Sequence, residues 1–272
     1  YLLNDGFAIY DGTYSLGANS LNSMSTVLQA GEVLETPEET RKIIAENASS
    51  TLLFSSLGYT SQFVFDSDYF VKGYEPIQDF IFPDAKFSIE SSKIIISAIL
   101  EGEFRFDADF SSVTYEDFLR VKEEKLNEKK SSPVYFYAHD NYPGHSQNSG
   151  VLLPNETELH LEKLKFANQQ MKKNIESIRN NDKNAIIVVL GDHGPYLTKN
   201  GIGLHDYDSS EVNQLDIQDR YGTFLAISWP EKLYANRYDI KTIQDIIPAV
   251  ASYMYEDDSI VETTNMTPSV NE

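Results

Sequence analysis

The segment Asn184-Ala-Ile-Ile-Val-Val-Leu190 constrains the fold more than any other part of this chain. Its run of apolar, mostly β-branched residues has no polar face, which is typical of a strand covered on both sides, central in a parallel sheet. A polar helix is predicted before it, from about Glu156 to Asn180, with apolar side chains at roughly helical spacing. A helix followed by a buried strand is half of a βαβ unit and predicts an α/β fold.

The same alternation repeats along the sequence. Further buried strands are predicted at Ser61–Phe65, Pro133–Ala138 and Tyr221–Ser228, and further helices at Pro37–Leu57, Tyr115–Lys130 and Ile240–Tyr255. Four strands that alternate with helices predict a three-layer α/β/α sandwich with a mostly parallel central sheet. Because no linker rich in Pro, Gly or Ser interrupts the pattern, residues 1–255 are predicted to form one domain, followed by a fraying polar tail over 256–272.

Composition excludes several classes of function. The chain has 22 Lys and Arg against 42 Asp and Glu, a net charge of −20, which repels nucleic-acid backbones and anionic membrane faces. It has no Cys, so disulfides, thiolate catalysis and Cys-ligated zinc are excluded. No apolar run is long enough to span a bilayer, so membrane attachment is expected only through a segment outside this chain.

Polar residues with catalytic potential follow two of the predicted strands. Asp192 and His193 come directly after the strand that ends at Leu190, and His139 and His145 follow the strand that ends at Ala138. A further histidine, at position 205, lies in a glycine-containing loop. Because ligands bind beyond the carboxyl ends of strands in open α/β sheets, we expect these side chains to converge. Histidine nitrogen and carboxylate oxygen, without Cys, suit a divalent metal.

A simpler interpretation competes with this one, since surface loops collect polar residues without any function. That explanation is sufficient for a single histidine and less so for four at one edge of a sheet. His160 falls on the predicted polar helix and is interpreted as a solvated surface residue.

Four segments resemble, in the same order, a known family. Asn184–Pro195 looks like a metal-binding strand and loop, and Val134–His145 like a strand that ends in a histidine-containing loop. Asp219–Pro230 and Asp245–Val250 look like the strand and helix that follow, and His205 stands where a histidine follows the Asp-His pair. The family is the alkaline phosphatase superfamily, in its sulfatase-like branch of phosphoethanolamine and phosphoglycerol transferases.

A fifth segment, Asp11–Leu28, resembles the family's nucleophile segment, in which a hydroxyl residue opens a helix and a serine follows three positions later. Ser20 and Ser23 fit that pattern, so Ser20 is the predicted nucleophile. A helix N-terminus stabilises an alkoxide and phosphoryl oxygens, which agrees with this assignment. Asn22 and Met24 stand where a sulfatase carries Pro and Arg, so the resemblance favours phosphoryl transfer over sulfate hydrolysis.

The resemblance also implies a metal site. Its ligands would be Ser20, Asp192 and His193, with Asp140 or water completing the set. Zinc is the expected metal, and manganese and magnesium are the alternatives.

Other residues are implied in contacts with the substrate. They are Asn19, His139, His145 and His205. The two last of these are also implied in catalysis: they would contact phosphoryl oxygens, protonate the leaving group or bind a second metal.

One departure from the family concerns the start of the domain. The family's first strand lies upstream of the nucleophile and ends in an acidic residue that completes the metal site. Here Asp5 and Asp11 are available before Ser20, but neither follows a convincing buried strand. The domain is therefore expected to lack its first strand or that ligand.

The function that the resemblance implies is a two-step transfer. A phosphoryl-linked group, of phosphoethanolamine or phosphoglycerol type, would move from a lipid-headgroup or phosphodiester donor to a glycan or lipid acceptor of the cell envelope, through a covalent Ser20 intermediate. The domain would lie outside the cytoplasmic membrane, in the periplasm or at the surface, as part of a bacterial membrane protein. The alternatives are a phosphatase or phosphodiesterase of the same superfamily, an inactive sulfatase-like domain that binds a glycan or scaffolds a complex, and an unspecific α/β domain.

Overall fold

The computed structural model describes residues 1–31, 36–84, 112–146, 151–201, 203–231 and 238–264. The chain divides into two compact units, one formed by Tyr1–Thr40 together with Asn141–Glu272 and one by Arg41–Asp140. Each unit combines helices with strands, so the predicted α/β class is confirmed. Within these ranges no helix has the length and apolar character that crossing a membrane requires.

The described elements include the four predicted strands, together with two strands and a helix, Gln214–Tyr221, that were not predicted. In chain order the helices are α1 (Ser20–Gln29), α2 (Pro37–Lys42), α3 (Ser49–Ser56), α4 (Tyr115–Asn127), α5 (Glu156–Asn181), α6 (Gln214–Tyr221), α7 (Ile246–Tyr255) and α8 (Ser259–Thr264). The strands are β1 (Ala8–Ile9), β2 (Thr60–Val64), β3 (Phe80–Phe82), β4 (Val134–Ala138), β5 (Ile187–Leu190) and β6 (Leu225–Ser228). Helix α8 falls within the predicted tail, and the rest of that tail, from 265, lies outside the described residues.

The first unit contains an antiparallel sheet with the strand order β1-β6-β5. The prediction of parallel surroundings for the segment that ends at Leu190 is wrong for its described neighbour, because β5 pairs antiparallel with β6. Strand β6 is the central strand, and all four of its residues are buried. Helix α5 packs against this sheet through Ile175, which contacts Phe7, Ile187 and Ala226.

The second unit contains a parallel sheet with the strand order β3-β2-β4. Helix α4 covers it, with Phe118 and Val121 packed against Val64 of β2. The chain leaves the carboxyl end of β4 at His139. In the described residues the strands thus form one parallel and one antiparallel sheet, where the sequence predicted one mostly parallel sheet.

The helix predicted over Pro37–Leu57 is interrupted. After α2 the chain makes a π-helical turn over Ile43–Asn47, and Ala48 takes φ −58° and ψ 119° before α3 begins. No Pro or Gly marks this break in the sequence, so one continuous helix was predicted there.

Candidate active site

Helix α1 begins at Ser20, as the sequence predicted, and the residue before it explains why. Asn19 has extended backbone angles, and its side-chain oxygen accepts a hydrogen bond from the Asn22 backbone N–H at 2.9 Å. This is an N-cap, which satisfies one of the backbone donors left open at a helix start. Ser20 therefore lies in the first turn of the helix, half-buried. The substrate contact of Asn19 stays a prediction beside this structural role.

The predicted metal-ligating residues lie together in the first unit. The Ser20 hydroxyl oxygen is 3.4 Å from Nε2 of His193, and an Asp192 carboxylate oxygen is 3.4 Å from the same nitrogen. The other ring nitrogen, Nδ1, is 2.9 Å from the backbone oxygen of Gly194. Because a carbonyl oxygen only accepts, Nδ1 carries the proton in the neutral ring, and Nε2 faces Ser20 and Asp192 with its lone pair.

Three contacts fix the loop that carries Asp192 and His193. The Ser23 hydroxyl on α1 donates to the Asp192 backbone oxygen, and the Thr223 hydroxyl donates to that of Gly191. Gly194 packs so closely on α6 that a Cβ there would lie 2.0 Å from the Asp219 backbone oxygen. The loop is thus held on both sides by backbone contacts that require these small and hydroxyl-bearing residues.

His145 is brought next to His193 by a second loop. Their ring centroids are 6.1 Å apart, and the Ser146 backbone N–H donates to the Pro195 backbone oxygen at 2.8 Å. His145 Nδ1 lies 2.9 Å from the Ser146 backbone oxygen, so it too donates to a carbonyl and leaves Nε2 as an acceptor. The structure therefore brings His145 next to His193, and its roles in catalysis and substrate binding stay predictions.

His205 does not belong to this cluster by its described contacts. Its side chain is 68% exposed, its ring lies against Gly203, and Nε2 is 3.6 Å from an Asp206 carboxylate oxygen. Its catalytic and substrate-binding roles stay predictions.

His139 and Asp140 lie in the second unit, at the end of β4. The His139 ring hydrogen-bonds the Tyr137 hydroxyl at 3.0 Å. The Asp140 carboxylate accepts from Lys122 Nζ at 2.6 Å through one oxygen and from the Tyr115 hydroxyl at 3.1 Å through the other. The Lys122 side chain is only 3% exposed, so this is a buried ion pair with a structural role in its own unit. The metal role of Asp140 stays a prediction.

Sequence reasoning missed the surroundings of His160 on α5. The residue is half-buried, and its Nδ1 is buried with no hydrogen-bond partner among the described residues. Burial, followed by repulsion from Lys163, lowers the pKa of His160, and Asp219, Glu156 and His145 also act on it. It is therefore a neutral histidine at the edge of the cluster and not a solvated one. Helical periodicity does not predict these surroundings, because Asp219 and His145 come from distant parts of the sequence.

The donor set fits part of a divalent-metal site. A hydroxyl oxygen and a carboxylate oxygen each lie 3.4 Å from one imidazole nitrogen, and zinc and manganese accept ligands of these types. A structural zinc site has four ligands, and catalytic sites keep three from the protein. In the described ranges, however, no group of three or more His, Asp, Glu or Cys side chains is arranged to hold a metal ion. The hydroxyl of Ser20 is thus required to complete even three ligands.

The fold is similar to those of solved phosphoethanolamine transferase domains and of a protein in the alkaline phosphatase superfamily. The C-terminal periplasmic domain of the phosphoethanolamine transferase EptC from Campylobacter jejuni aligns with a TM-score of 0.57 at 13% identity, over 100% of this chain and 87% of that one. The soluble domain of lipooligosaccharide phosphoethanolamine transferase A from Neisseria meningitidis gives 0.52 at 14%, over 93% and 78%. An alkaline phosphatase superfamily protein from Vibrio parahaemolyticus gives 0.52 at 13%, over 90% of this chain and 57% of that one.

These identities establish the fold and not the activity. No protein-family model matches the sequence, and no curated protein matches it either. The solved domains with a similar fold include phosphoethanolamine transferases, the group of proteins that the sequence motifs resemble.

Proposed function

We propose that this chain is the catalytic domain of a metal-dependent transferase, which moves a phosphoryl-linked group of phosphoethanolamine or phosphoglycerol type to a glycan or lipid of the cell envelope. The observation that carries the proposal is the position of Ser20. Its hydroxyl lies at the start of a capped helix, 3.4 Å from the acceptor nitrogen of His193, which an Asp192 oxygen also approaches. A nucleophile, a helix N-terminus and two ligating groups at one point favour phosphoryl transfer.

Ser20, Asp192 and His193 would hold the divalent ion, and its charge would lower the pKa of the serine hydroxyl and stabilise the phosphoryl oxygens. In the first step Ser20 Oγ attacks the donor phosphorus, a serine-phosphorus ester bond forms, and the bond from phosphorus to the leaving alcohol breaks. His145 Nε2 would take the proton that Ser20 Oγ loses and give it to that alcohol. In the second step an acceptor hydroxyl attacks phosphorus and the serine-phosphorus bond breaks, while the proton of that hydroxyl passes through His145 Nε2 to Ser20 Oγ.

The same comparison supports the proposed location and partners. The aligned domains are named as periplasmic or soluble domains of phosphoethanolamine transferases, and one aligned protein is named as an integral membrane protein. We therefore place this domain outside the cytoplasmic membrane of a bacterium, with a lipid-headgroup or phosphodiester donor. The net charge of −20 disfavours a polyanionic substrate, whereas a zwitterionic phosphoethanolamine lipid is repelled less.

The test is Ser20→Ala with a labelled phosphoethanolamine lipid as donor. The variant is expected to lose at least about a thousandfold in turnover, because the attacking oxygen is gone. Wild type incubated with donor alone is expected to gain the mass of the transferred group on Ser20. Ser55→Ala, an exposed serine of α3, is the matched control and is expected to keep full activity. Wild-type turnover in Ser20→Ala would overturn the assignment.

The same assay separates the transferase from a phosphatase or phosphodiesterase. A transferase needs an acceptor hydroxyl for sustained product formation, whereas a hydrolase releases product with water alone.

An inactive binding domain is the second candidate, and the absence of a three-residue His, Asp or Glu cluster in the described ranges favours it. Metal analysis after purification decides between them. The enzyme is expected to retain about one or two divalent ions per chain, and to lose them in Asp192→Ala. A wild-type protein that binds no metal and forms no covalent product is the inactive domain.

A further inference from the structure

A buried tyrosine lies against both histidines of the candidate site. The Tyr196 ring centroid is 4.8 Å from that of His145, with 27° between the ring planes, and 5.1 Å from that of His193, with 12° between the planes. Only 3% of Tyr196 is exposed. The Tyr196 ring therefore stacks on two imidazoles that belong to different loops.

The backbone of Tyr196 is held in an unfavourable conformation to place its ring there. Its φ is +61°, in the left-handed region that costs a residue with a Cβ about 1 kcal/mol or more. The Ser146 hydroxyl donates to the Tyr196 backbone oxygen, and the Ser146 N–H donates to the oxygen of Pro195. These two bonds tie the His145 loop to the His193 loop at the strained residue. Such strain persists only where the surrounding contacts fix the conformation, and it is frequent at functional sites.

A buried guanidinium also packs on the Tyr196 ring. Arg220 Cζ lies 4.4 Å from the ring centroid, and the Arg220 side chain is fully buried. Its Nη1 donates to the Asp219 carboxylate at 2.9 Å and its Nη2 to the Lys199 backbone oxygen at 2.6 Å. Asp219 in turn accepts from the Leu197 backbone N–H at 2.9 Å. Because a buried ion pair resists displacement of either partner, Arg220 leaves the tyrosine ring little freedom to move away from the histidines.

We propose that Tyr196 is a positioning residue of the active site, whose ring sets the planes of His145 and His193. Each histidine is held at Nδ1 by a backbone carbonyl, and one hydrogen bond does not by itself fix the plane of an imidazole ring. Stacking on Tyr196 fixes that plane, and with it where each Nε2 lies relative to Ser20. The role in transfer rests on the proposed function, whereas the ordering of the two rings does not. The ring makes these contacts, so phenylalanine is the conservative replacement.

The experiment compares Tyr196→Phe with Tyr196→Leu. Histidine Cε1–Hε1 signals are recorded by NMR on EDTA-treated protein and assigned with His145→Gln and His193→Gln. In wild type and Tyr196→Phe, both signals are expected to carry ring-current shifts relative to the exposed His205. In Tyr196→Leu both are expected to move towards the His205 position. Unshifted signals in wild type, or signals that stay in place in Tyr196→Leu, overturn the ordering role.

Turnover then tests the consequence for the reaction. Tyr196→Leu is expected to lose about 10- to 100-fold in kcat with KM unchanged, because the reacting groups are misplaced. Tyr196→Phe, which keeps the ring, is expected to retain the wild-type kcat. A loss of kcat in Tyr196→Phe equal to that in the leucine variant contradicts the role of the ring. Should Tyr196→Leu not fold, Ser146→Ala removes the tie to the Tyr196 backbone, keeps all three rings, and is expected to shift both histidine signals in the same direction. If wild type itself shows no turnover, the proposed function fails, and the NMR comparison still decides whether Tyr196 orders the rings.

Discussion

Two serines of α1, three positions apart, have different tasks. Ser20 presents its hydroxyl to His193, whereas Ser23 is fully buried and donates to the Asp192 backbone oxygen. One turn of helix separates positions three residues apart, so both hydroxyls face the same loop. Gly17 permits this arrangement, because a Cβ there would lie 2.8 Å from the Asn22 Cβ. The Ser23 hydroxyl therefore connects α1 to the loop that carries Asp192 and His193, and holds the two in register.

Replacement of Ser23 is expected to lower both the free energy of unfolding and the affinity for metal. Ser23→Ala leaves the Asp192 backbone oxygen without its donor, which costs about 1–3 kcal/mol of unfolding free energy for a buried group. Urea denaturation measures that loss, and competition with a chelator measures the zinc affinity, which is expected to fall as the loop relaxes. Ser25→Ala is the matched control, since the Ser25 hydroxyl bonds only within α1, to the Asn22 backbone oxygen at 2.8 Å. Equal zinc affinities in the two variants would contradict the role of Ser23 in holding the Asp192 loop.

At this scale the sequence predicted part of the candidate site but not what surrounds it. Ser20, Asp192, His193 and His145 lie close together in the structure, and their roles stay predictions. The Tyr196 stack could not be predicted, because a tyrosine after an Asp-His-Gly-Pro run reads as an ordinary loop residue. Its contacts depend on Arg220, which lies on another element and looks in the sequence like a surface charge of a helix.

The central strands show why pairing direction escapes a sequence. An apolar run indicates that both faces of a strand are covered, and it carries no information on the direction of the neighbouring strand. Here β5 lies beside the fully buried β6 in an antiparallel pair, while β2 and β4, also predicted as buried strands, pair parallel. The four predicted strands are present, the short strands β1 and β3 were not predicted, and the assumption of a single sheet direction was wrong.

Strand β4 offers a test at the scale of an element, through Tyr135. Its ring stacks on Phe54 at 4.4 Å between centroids, its hydroxyl donates to the Ser50 hydroxyl at 3.1 Å, and burial raises the pKa of Tyr135 from 10.0 to about 12. The folded state thus binds this proton more tightly than the unfolded state. The stability that the neutral phenol contributes is present below pH 10 and is lost as the pH rises from 10 towards 12.

Tyr135→Phe removes that titration from the second unit. Its unfolding free energy is expected to fall less steeply than that of wild type over this alkaline interval, where one proton changes the slope by about 1.4 kcal/mol per pH unit. Near neutral pH the variant loses the Ser50 hydrogen bond, about 1 kcal/mol. Urea denaturation at several alkaline pH values gives the slopes. Tyr255→Phe, at a position 51% exposed, is the control and is expected to follow wild type. Parallel slopes for Tyr135→Phe and wild type exclude the buried phenol as the cause.

For the whole molecule, the excess of acidic residues is a matter of surface charge. The ion pairs that are well buried in the described part of the chain join Lys122 to Asp140 and Arg220 to Asp219. Others, such as Arg120 with Asp117, lie at exposed positions, where a pair contributes little to stability. With 42 acidic against 22 basic residues, there are too few basic side chains to pair with every carboxylate, and the chain carries a net charge of −20. The sequence gives this property directly, because net charge needs no knowledge of the fold.

Self-repulsion of that surface is expected to make the folded protein more stable as salt is added. The Debye length falls from about 30 Å at 0.01 M to about 8 Å at 0.15 M ionic strength, so repulsion between distant carboxylates is screened over this range. The melting temperature of EDTA-treated protein is expected to rise between these two conditions, and to the same extent in sodium chloride and in choline chloride, because screening depends on ionic strength alone. Sucrose, which adds no ions, serves as the solvent control at low salt. A melting temperature that stays constant or falls across the range contradicts repulsion, and a rise specific to one cation assigns the effect to ion binding instead.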